Sequence, residues 1–486
     1  MRLSLLALPF AAAFVSAGHH RDIPRKIKES IQGPPRGWLR SDPAPPDRLL
    51  ELKIALTQPH FPILEKHLWA VSNPNHERYG AYMSKEETEA LMAPHPGSLE
   101  MVDEWLSSYG IEDEYLYRSS AQDWVTIRVP VALAEKMLDT ITIDCLRQIY
   151  NAVGYNTSAT NGNQIAIASY LEEYANNQDL QQFFQLQNPV AYGSNYTFVS
   201  INGGLNNQSY AAAGIEANLD TQFAFGLTYP TPATFYSTGG RPPYIPEAQL
   251  PENGNEPYAK WLDYVLSQEY LPQTISTSFA DDEQTGTKSH NESDPGQCFS
   301  NDGTNKTMFI PTFPSACPYI TSVGGTNYVP ETAALFSTGG FSNYFSRPDY
   351  QNKAVTKYLE TLAPGTYDGL YNPNGRAFPD VAAQAFNFSI VYQGRQHNTY
   401  GTSCASPAFA SFVSMLNDAR ISARRPPLGF LNQWLYEKGY AALNDITVGN
   451  NPGCGTEGFN ATIGWDPVTG LGTPNFEKLL ELAMAA

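Results

Sequence analysis

At 486 residues the chain is long enough for two or three domains around a large hydrophobic core. Its 48 Asp and Glu against 30 Lys and Arg give a formal net charge of −18, which argues against nucleic acid and anionic membranes as partners. After the first 17 residues no stretch approaches the roughly 18 consecutive apolar residues of a membrane span.

The start, MRLSLLALPFAAAFVSAGHH, has one arginine, an apolar run and a small-residue exit at Val15-Ser16-Ala17. It reads as a secretory signal peptide over 1–17, and so predicts a secreted protein of the extracellular space. Seven Asn-X-Ser/Thr sequons, at Asn156, Asn195, Asn207, Asn291, Asn305, Asn387 and Asn460, fit passage through the secretory pathway and N-glycosylation. Five cysteines in an oxidising compartment predict one or two disulfides with at least one thiol left over, and the absence of a CxxC pair argues against a zinc cluster.

From Asp47 the sequence predicts a small α/β module. RLLELKIALTQPHFPILEKHLWAVS gives a strand and then a helix with Pro62 near its start, and MSKEETEALMAPHPGSLEMVDEWLSSYGI gives two capped helices, Ser84 and Glu87 forming a capping box. DWVTIRVPVALAEKMLDT adds a strand and a helix, and the order suits a ferredoxin-like unit. Beyond about Ile143 lysine becomes sparse and Gly, Ser, Thr, Asn and Tyr become common. QIAIASY and YTFVSI read as buried strands followed by helices, and TISTSF and FSIVYQG as further strand-then-helix units, so an α/β domain with a mainly parallel sheet is expected.

Three features carry candidate chemistry. In HNTYGTSCASPAFASF, Ser403 follows a Gly-Thr turn and precedes an apolar helical run, where free N–H groups can stabilise an oxyanion; a serine N-cap is the simpler reading. For a base, His397 lies six residues upstream on the turn after FSIVYQG, an exposed setting without the buried carboxylate that a histidine base requires. In YAAAGIEANLDTQFAFGL, Glu216 and Asp220 are four apart, hence on one helix face, among apolar neighbours with no Lys or Arg nearby. Such a pair favours holding one proton between them, and a glutamate base near its reference pKa of about 4.3 works best in acid. Finally, Asp445 and Asp466 lie in the glycine-rich stretch 443–476, which reads either as a Ca²⁺ site built from hard oxygen donors or as a turn-rich surface loop.

Taken in order, IEANLD, FIPTFPSACPYITSVGGT, GRAFPDVAAQ, GTSCASP and GWDPVTGLGTPNF make the chain resemble the sedolisin family, the serine-carboxyl peptidases, and most nearly its secreted fungal tripeptidyl-peptidases. The resemblance implies a zymogen: a ferredoxin-like activation propeptide over 18–142 that inhibits intramolecularly, then a subtilisin-like, doubly wound α/β peptidase domain over 143–486. It implies Ser403 as nucleophile, Glu216 as general base, Asp220 as the group tuning that base, and a further aspartate donating to the oxyanion. It also implies one structural Ca²⁺ held by Asp445 and Asp466 with the carbonyls of Ile446 and Gly464, a Cys298–Cys454 disulfide, and a monomer acting on peptide or protein substrates, releasing N-terminal tripeptides.

Two departures from the family pattern stand out. The family carries its oxyanion aspartate in Ser-Gly-Asp-x-Gly at the end of a buried strand, but here STSFADDEQ passes almost directly to CFSNDG, short by about 20–25 residues at average element lengths. Asp294, in Ser-Asp-Pro-Gly, is the nearest candidate for that role. The long linker between propeptide and peptidase is also missing, KMLDT running straight into ITIDCLRQIYN. A sedolisin-type endopeptidase and a catalytically impaired, peptide-binding homologue are therefore the alternative readings; a glycan-binding protein has no aromatic spacing to support it.

Overall fold

The structure, a computed structural model, describes residues 45, 47–111, 116–131, 133–134, 140–243, 253–283, 298–300, 304 and 306–485. The signal peptide, Asp294, Asn291 and Asn305 lie outside the described residues. The chain divides into two compact units, Met1–Thr140 and Ile141–Ala486.

The first unit runs β1 (Leu49–Ala55), α1 (Phe61–Ser72), α2 (Lys85–Met92), α3 (Pro96–Ser108), β2 (Leu116–Arg118) and β3 (Trp124–Pro130). Alternation in WVTIRVP buries Val125, Ile127 and Val129, which pack with Ile54, Leu56, Val102 and Leu106 into this unit's core. Helix α1 has Pro62 in its first turn, and α2 opens on a complete capping box: Ser84 Oγ accepts from Glu87 N–H at 3.1 Å while the Glu87 carboxylate accepts from Ser84 N–H at 2.8 Å. The sheet order is β1-β3-β2 with antiparallel neighbours, as in the first three strands of a ferredoxin-like module. Strand β2 was not expected; three residues are too few to display a period.

The second unit is built on parallel β-structure. It begins with α4 (Ile143–Ile149), β4 (Ile165–Ser169), α5 (Asn177–Gln187), β5 (Thr197–Ile201), α6 (Ile215–Thr228), β6 (Ala233–Thr238), α7 (Tyr258–Leu266) and β7 (Thr274–Ser276). These strands form one parallel sheet in the order β5-β6-β4-β7, with the wholly buried β4 at its centre. After β7 the chain enters β8 (Asp281–Asp282), paired with β9 (Thr312–Phe313), rather than the helix expected from TISTSF.

A second sheet follows, in which β10 (Val323–Asn327) lies between β11 (Thr332–Ala333) and β14 (Val381–Gln384), parallel to the latter. An antiparallel pair, β12 (Gly340–Ser346) with β13 (Gly375–Phe378), flanks α8 (Asn352–Leu359). The chain closes with β15 (Phe388–Tyr392), β16 (Arg395–Thr399), α9 (Thr402–Ser422), α10 (Leu431–Glu437), β17 (Leu443–Asn444), β18 (Thr473–Pro474) and α11 (Phe476–Ala485).

Among the described residues no strand pairs β7 with β10, so the two parallel sheets are separate. Helix α9 packs against β4 and β7 of one and β10 and β14 of the other, spanning the break. The core contains Phe183, Phe223, Phe235, Phe388 and Phe412, all buried. One expectation is corrected here. FSIVYQG is not part of the parallel sheet: Gln393 and Gly394 have φ of +51° and +75°, the left-handed pair of a tight hairpin turn, and β15 folds back antiparallel on β16. A two-residue connection cannot reach a parallel neighbour, which needs a dozen residues or more.

Candidate active site

Two helices, α6 and α9, pack closely against each other and carry the candidate groups. Helix α9 starts just past Gly401, whose φ of +140° favours glycine, and Ser403 stands half-buried in the first turn. Pro407 lies inside this helix. Lacking an N–H, it leaves the carbonyl four residues earlier, that of Ser403, without its helical donor. The hydroxyl of Ser278 lies 3.4 Å from that carbonyl.

Helix α6 is buried at every residue from Ala217 to Thr228, so Glu216 is at the end that opens toward the surface. Asn218 and Gln222 anchor the helix by donating side-chain N–H groups to the Val391 carbonyl of β15, at 3.2 and 2.7 Å. One turn from Glu216, the fully buried Asp220 accepts from Ser278 Oγ at 2.7 Å through Oδ1, and its Oδ2 is buried without a hydrogen-bond partner among the described residues. Burial pushes the Asp220 pKa well above the carboxylate range, the Glu216 charge pushes it further, the Ser278 hydroxyl opposes the rise, and Glu173 adds to it. The buried thiol of Cys404, the residue following Ser403, is raised by burial and then by the charges of Glu216 and Asp220 on the helix packed against its own.

His397 is elsewhere. It lies on β16 opposite Ile390, its side chain exposed and its ring 6.2 Å from that of Tyr392. It is a strand residue rather than a turn residue. Ser278 and Glu173 were missed by sequence reasoning: Ser278 lies at the end of the quoted TISTSF and Glu173 in the LEEY that follows β4, but neither has a local pattern that marks it.

In the loop after β17, Asp445 Oδ2 accepts from Gly464 N–H at 2.8 Å. Asp466 is buried, its carboxylate accepting from the N–H groups of Thr462, Val468 and Thr469 at 2.8–3.0 Å. Burial nevertheless raises its pKa to about 7, those hydrogen bonds opposing the rise. A buried carboxylate with no cationic side chain bonded to it, next to a second carboxylate on the same loop, has the hard-oxygen chemistry that suits Ca²⁺. Ile446 is buried and Gly464 half-buried beside them. Among the described residues no group of three or more His, Cys, Asp or Glu side chains gathers as a metal cluster.

Cys298 and Cys454 are joined by a disulfide with Cα atoms 5.5 Å apart, and Cys317 and Cys404 are free thiols. The sequon residues Asn156, Asn195, Asn207 and Asn460 are exposed. Asn387 differs from these: its side chain is buried, with Oδ1 accepting from Asn398 Nδ2 at 2.8 Å. No helix of the described residues is long and apolar enough to cross a membrane.

Comparison with known proteins places these features in context. The profile of the pro-kumamolisin activation domain matches residues 36–174. Tripeptidyl-peptidase SED4 of Arthroderma otae is 35% identical, the match covering 94% of this chain and 94% of that protein. Tripeptidyl-peptidase SED2 of the same organism is 33% identical, with 98% of each chain covered. The SED4 alignment extends over 570 positions, more than the 486 residues of this chain, so the relative holds segments that this chain lacks. Among solved structures, Pseudomonas sedolisin, a serine-carboxyl proteinase, aligns with 71% of this chain and 98% of its own at 19% identity and a TM-score of 0.47, too low to carry weight by itself.

Proposed function

The chain belongs to the sedolisin family of serine-type peptidases, and on that premise we propose that it is a secreted, acid-acting tripeptidyl-peptidase in which Ser403 is the nucleophile and Glu216 its general base. The observation that carries this reading is the buried Asp220, hydrogen-bonded to Ser278 and one helical turn from Glu216, with both carboxylates acting on Cys404 next to Ser403.

In the proposed reaction Ser403 Oγ attacks the scissile carbonyl while Glu216 takes the hydroxyl proton. Glu216 then returns that proton to the departing amine, and water hydrolyses the acyl-enzyme by the same route reversed. Asp220, neutral in its buried site, keeps Glu216 from facing a second negative charge and leaves it ionised at acidic pH. The N–H groups at the start of α9 receive the developing oxyanion. Asp294 would be the additional donor, at a position outside the described residues.

The 1–17 segment would be a signal peptide and 18–142 the propeptide, which would inhibit the 143–486 domain until removed; the matched activation domain supports a zymogen. Asp445 and Asp466, with the carbonyls of Ile446 and Gly464, would hold one Ca²⁺, which neutralises buried charge and ties the loop together. Glycans would sit on the exposed sequons, and the working form would be a monomer.

A second reading, an impaired homologue, is favoured by the separate parallel sheets and by the shortness of the chain relative to its aligned relatives. The test is hydrolysis of a tripeptide reporter at about pH 4 by the purified, matured chain, near the reference pKa of glutamate. Release from a free N-terminus supports the tripeptidyl reading; equal cleavage of an N-terminally blocked substrate indicates an endopeptidase. No cleavage of either by folded protein supports the impaired homologue.

A further inference from the structure

We propose that Glu173 is a positioning residue for the Glu216–Asp220 pair, closing the amide end of the helix that carries both carboxylates and placing a third carboxylate beside them. The proposal rests on the reading of Glu216 as the base. Helix α6 begins after Gly214, which has no side chain to cap it. Glu173 Oε2 takes that place, accepting from the N–H groups of Glu216 at 3.1 Å and Ala217 at 3.3 Å. The fit is tight, for a Cβ on residue 214 would come within 2.0 Å of the same oxygen.

A serine or aspartate at position 214 would cap the helix by the usual local route. This chain instead brings the cap from 43 residues away, on a loop held in a costly conformation. Leu171 and Glu172 are successive non-glycine residues at φ of +56° and +60°, a strain that persists only where the surroundings over-determine it. Arg241 pins Glu172 through two parallel bonds, at 2.9 and 2.5 Å. The Ser169 hydroxyl donates to the Glu173 carbonyl at 3.2 Å, and the Tyr174 carbonyl accepts from Gly214 N–H at 3.0 Å. Glu173 is thus fixed from both sides.

The Glu173 carboxylate favours a proton on Asp220, adding to burial and to the charge of Glu216. The other ionisable groups on elements packed around α6 are Asp179 on α5, Cys404, Asp418 and Arg420 on α9, Tyr392 on β15, and Asp144, Cys145 and Arg147 on α4, the last donating to the Leu227 carbonyl at the opposite end of α6. Glu172 and Arg241 offset each other beside Glu173.

Glu173→Ala removes both the cap and the charge, whereas Glu173→Gln keeps an oxygen that can accept and drops the charge. In the full chain after maturation, Glu173→Ala should lower kcat about tenfold with KM little changed. Glu173→Gln should restore most of kcat and shift the pH–rate profile to lower pH, a shift that a merely structural cap would not produce. Carboxyl ¹³C NMR on the same proteins provides a readout independent of turnover: the Glu216 and Asp220 resonances should titrate at lower pH in Glu173→Gln than in the parent. Coincident titrations would overturn the proposal whatever the activity. A shifted titration in protein whose Glu216→Gln variant remains active would uphold the placement of Glu173 and overturn the base assignment instead.

Discussion

The hydroxyl of Ser278 donates to Asp220 Oδ1 at 2.7 Å, joining the loop after β7 to a carboxylate otherwise enclosed in α6. Among the described residues this is the one hydrogen bond to that carboxylate, and it opposes the burial and like charge that push its pKa up. Its consequence is directional.

Removing it in Ser278→Ala should let the Asp220 pKa rise further, so Asp220 would hold its proton to higher pH and the alkaline limb of the pH–rate profile should move up. Stability should fall by about 1–3 kcal/mol, the usual cost of losing a hydrogen bond to a charged or buried group. A denaturation curve and a kcat–pH series check both parts.

Stability should decline as pH rises. Asp220, Glu331 and Glu283 all have folded-state pKa values raised, in each case first by burial. A carboxyl that binds its proton more tightly when folded contributes fully below its unfolded pKa of about 4, and loses that contribution as pH rises toward its folded value. Melting temperature should therefore be highest in acid, and Asp220→Asn, which mimics the protonated form, should flatten the fall above about pH 4.

Chelation should lower the melting temperature of the parent protein but not that of Asp466→Asn. Among the described residues the Asp466 carboxylate is bonded only to backbone N–H groups and to the Thr469 hydroxyl, so a bound cation would supply the positive charge its site lacks. Thermal scans with and without chelator, on both proteins, make the comparison.

His397→Ala should leave kcat within about twofold of the parent, since substitutions at exposed positions away from a site have small effects. The ring is exposed on a hairpin strand. A loss of the order expected for a general base, about a hundredfold or more, would show that the histidine had been wrongly set aside.

What the sequence disclosed and what it hid follow from the range of the interactions. The acid pair was legible because i, i+4 spacing in an apolar helix is a local pattern, and the capping box of α2 was legible for the same reason. Ser278 and Glu173 act on α6 across 58 and 43 residues, and no periodicity encodes such a pairing. Asn387 satisfies a three-residue sequon rule, while its burial is a tertiary fact. The hairpin at Gln393-Gly394 was hidden by the apolar run of FSIVY, which looks the same in a buried parallel strand and in one arm of a hairpin. The separate sheets were foreshadowed by the short passage from STSFADDEQ to CFSNDG.

The most direct test of the central claim is the rate of Glu216→Gln on a tripeptide reporter at about pH 4, with folding confirmed by circular dichroism. The account predicts a loss of about 10²–10⁴-fold in kcat, the usual contribution of a positioned general base. A folded Glu216→Gln variant that turned over at the parent rate would contradict it.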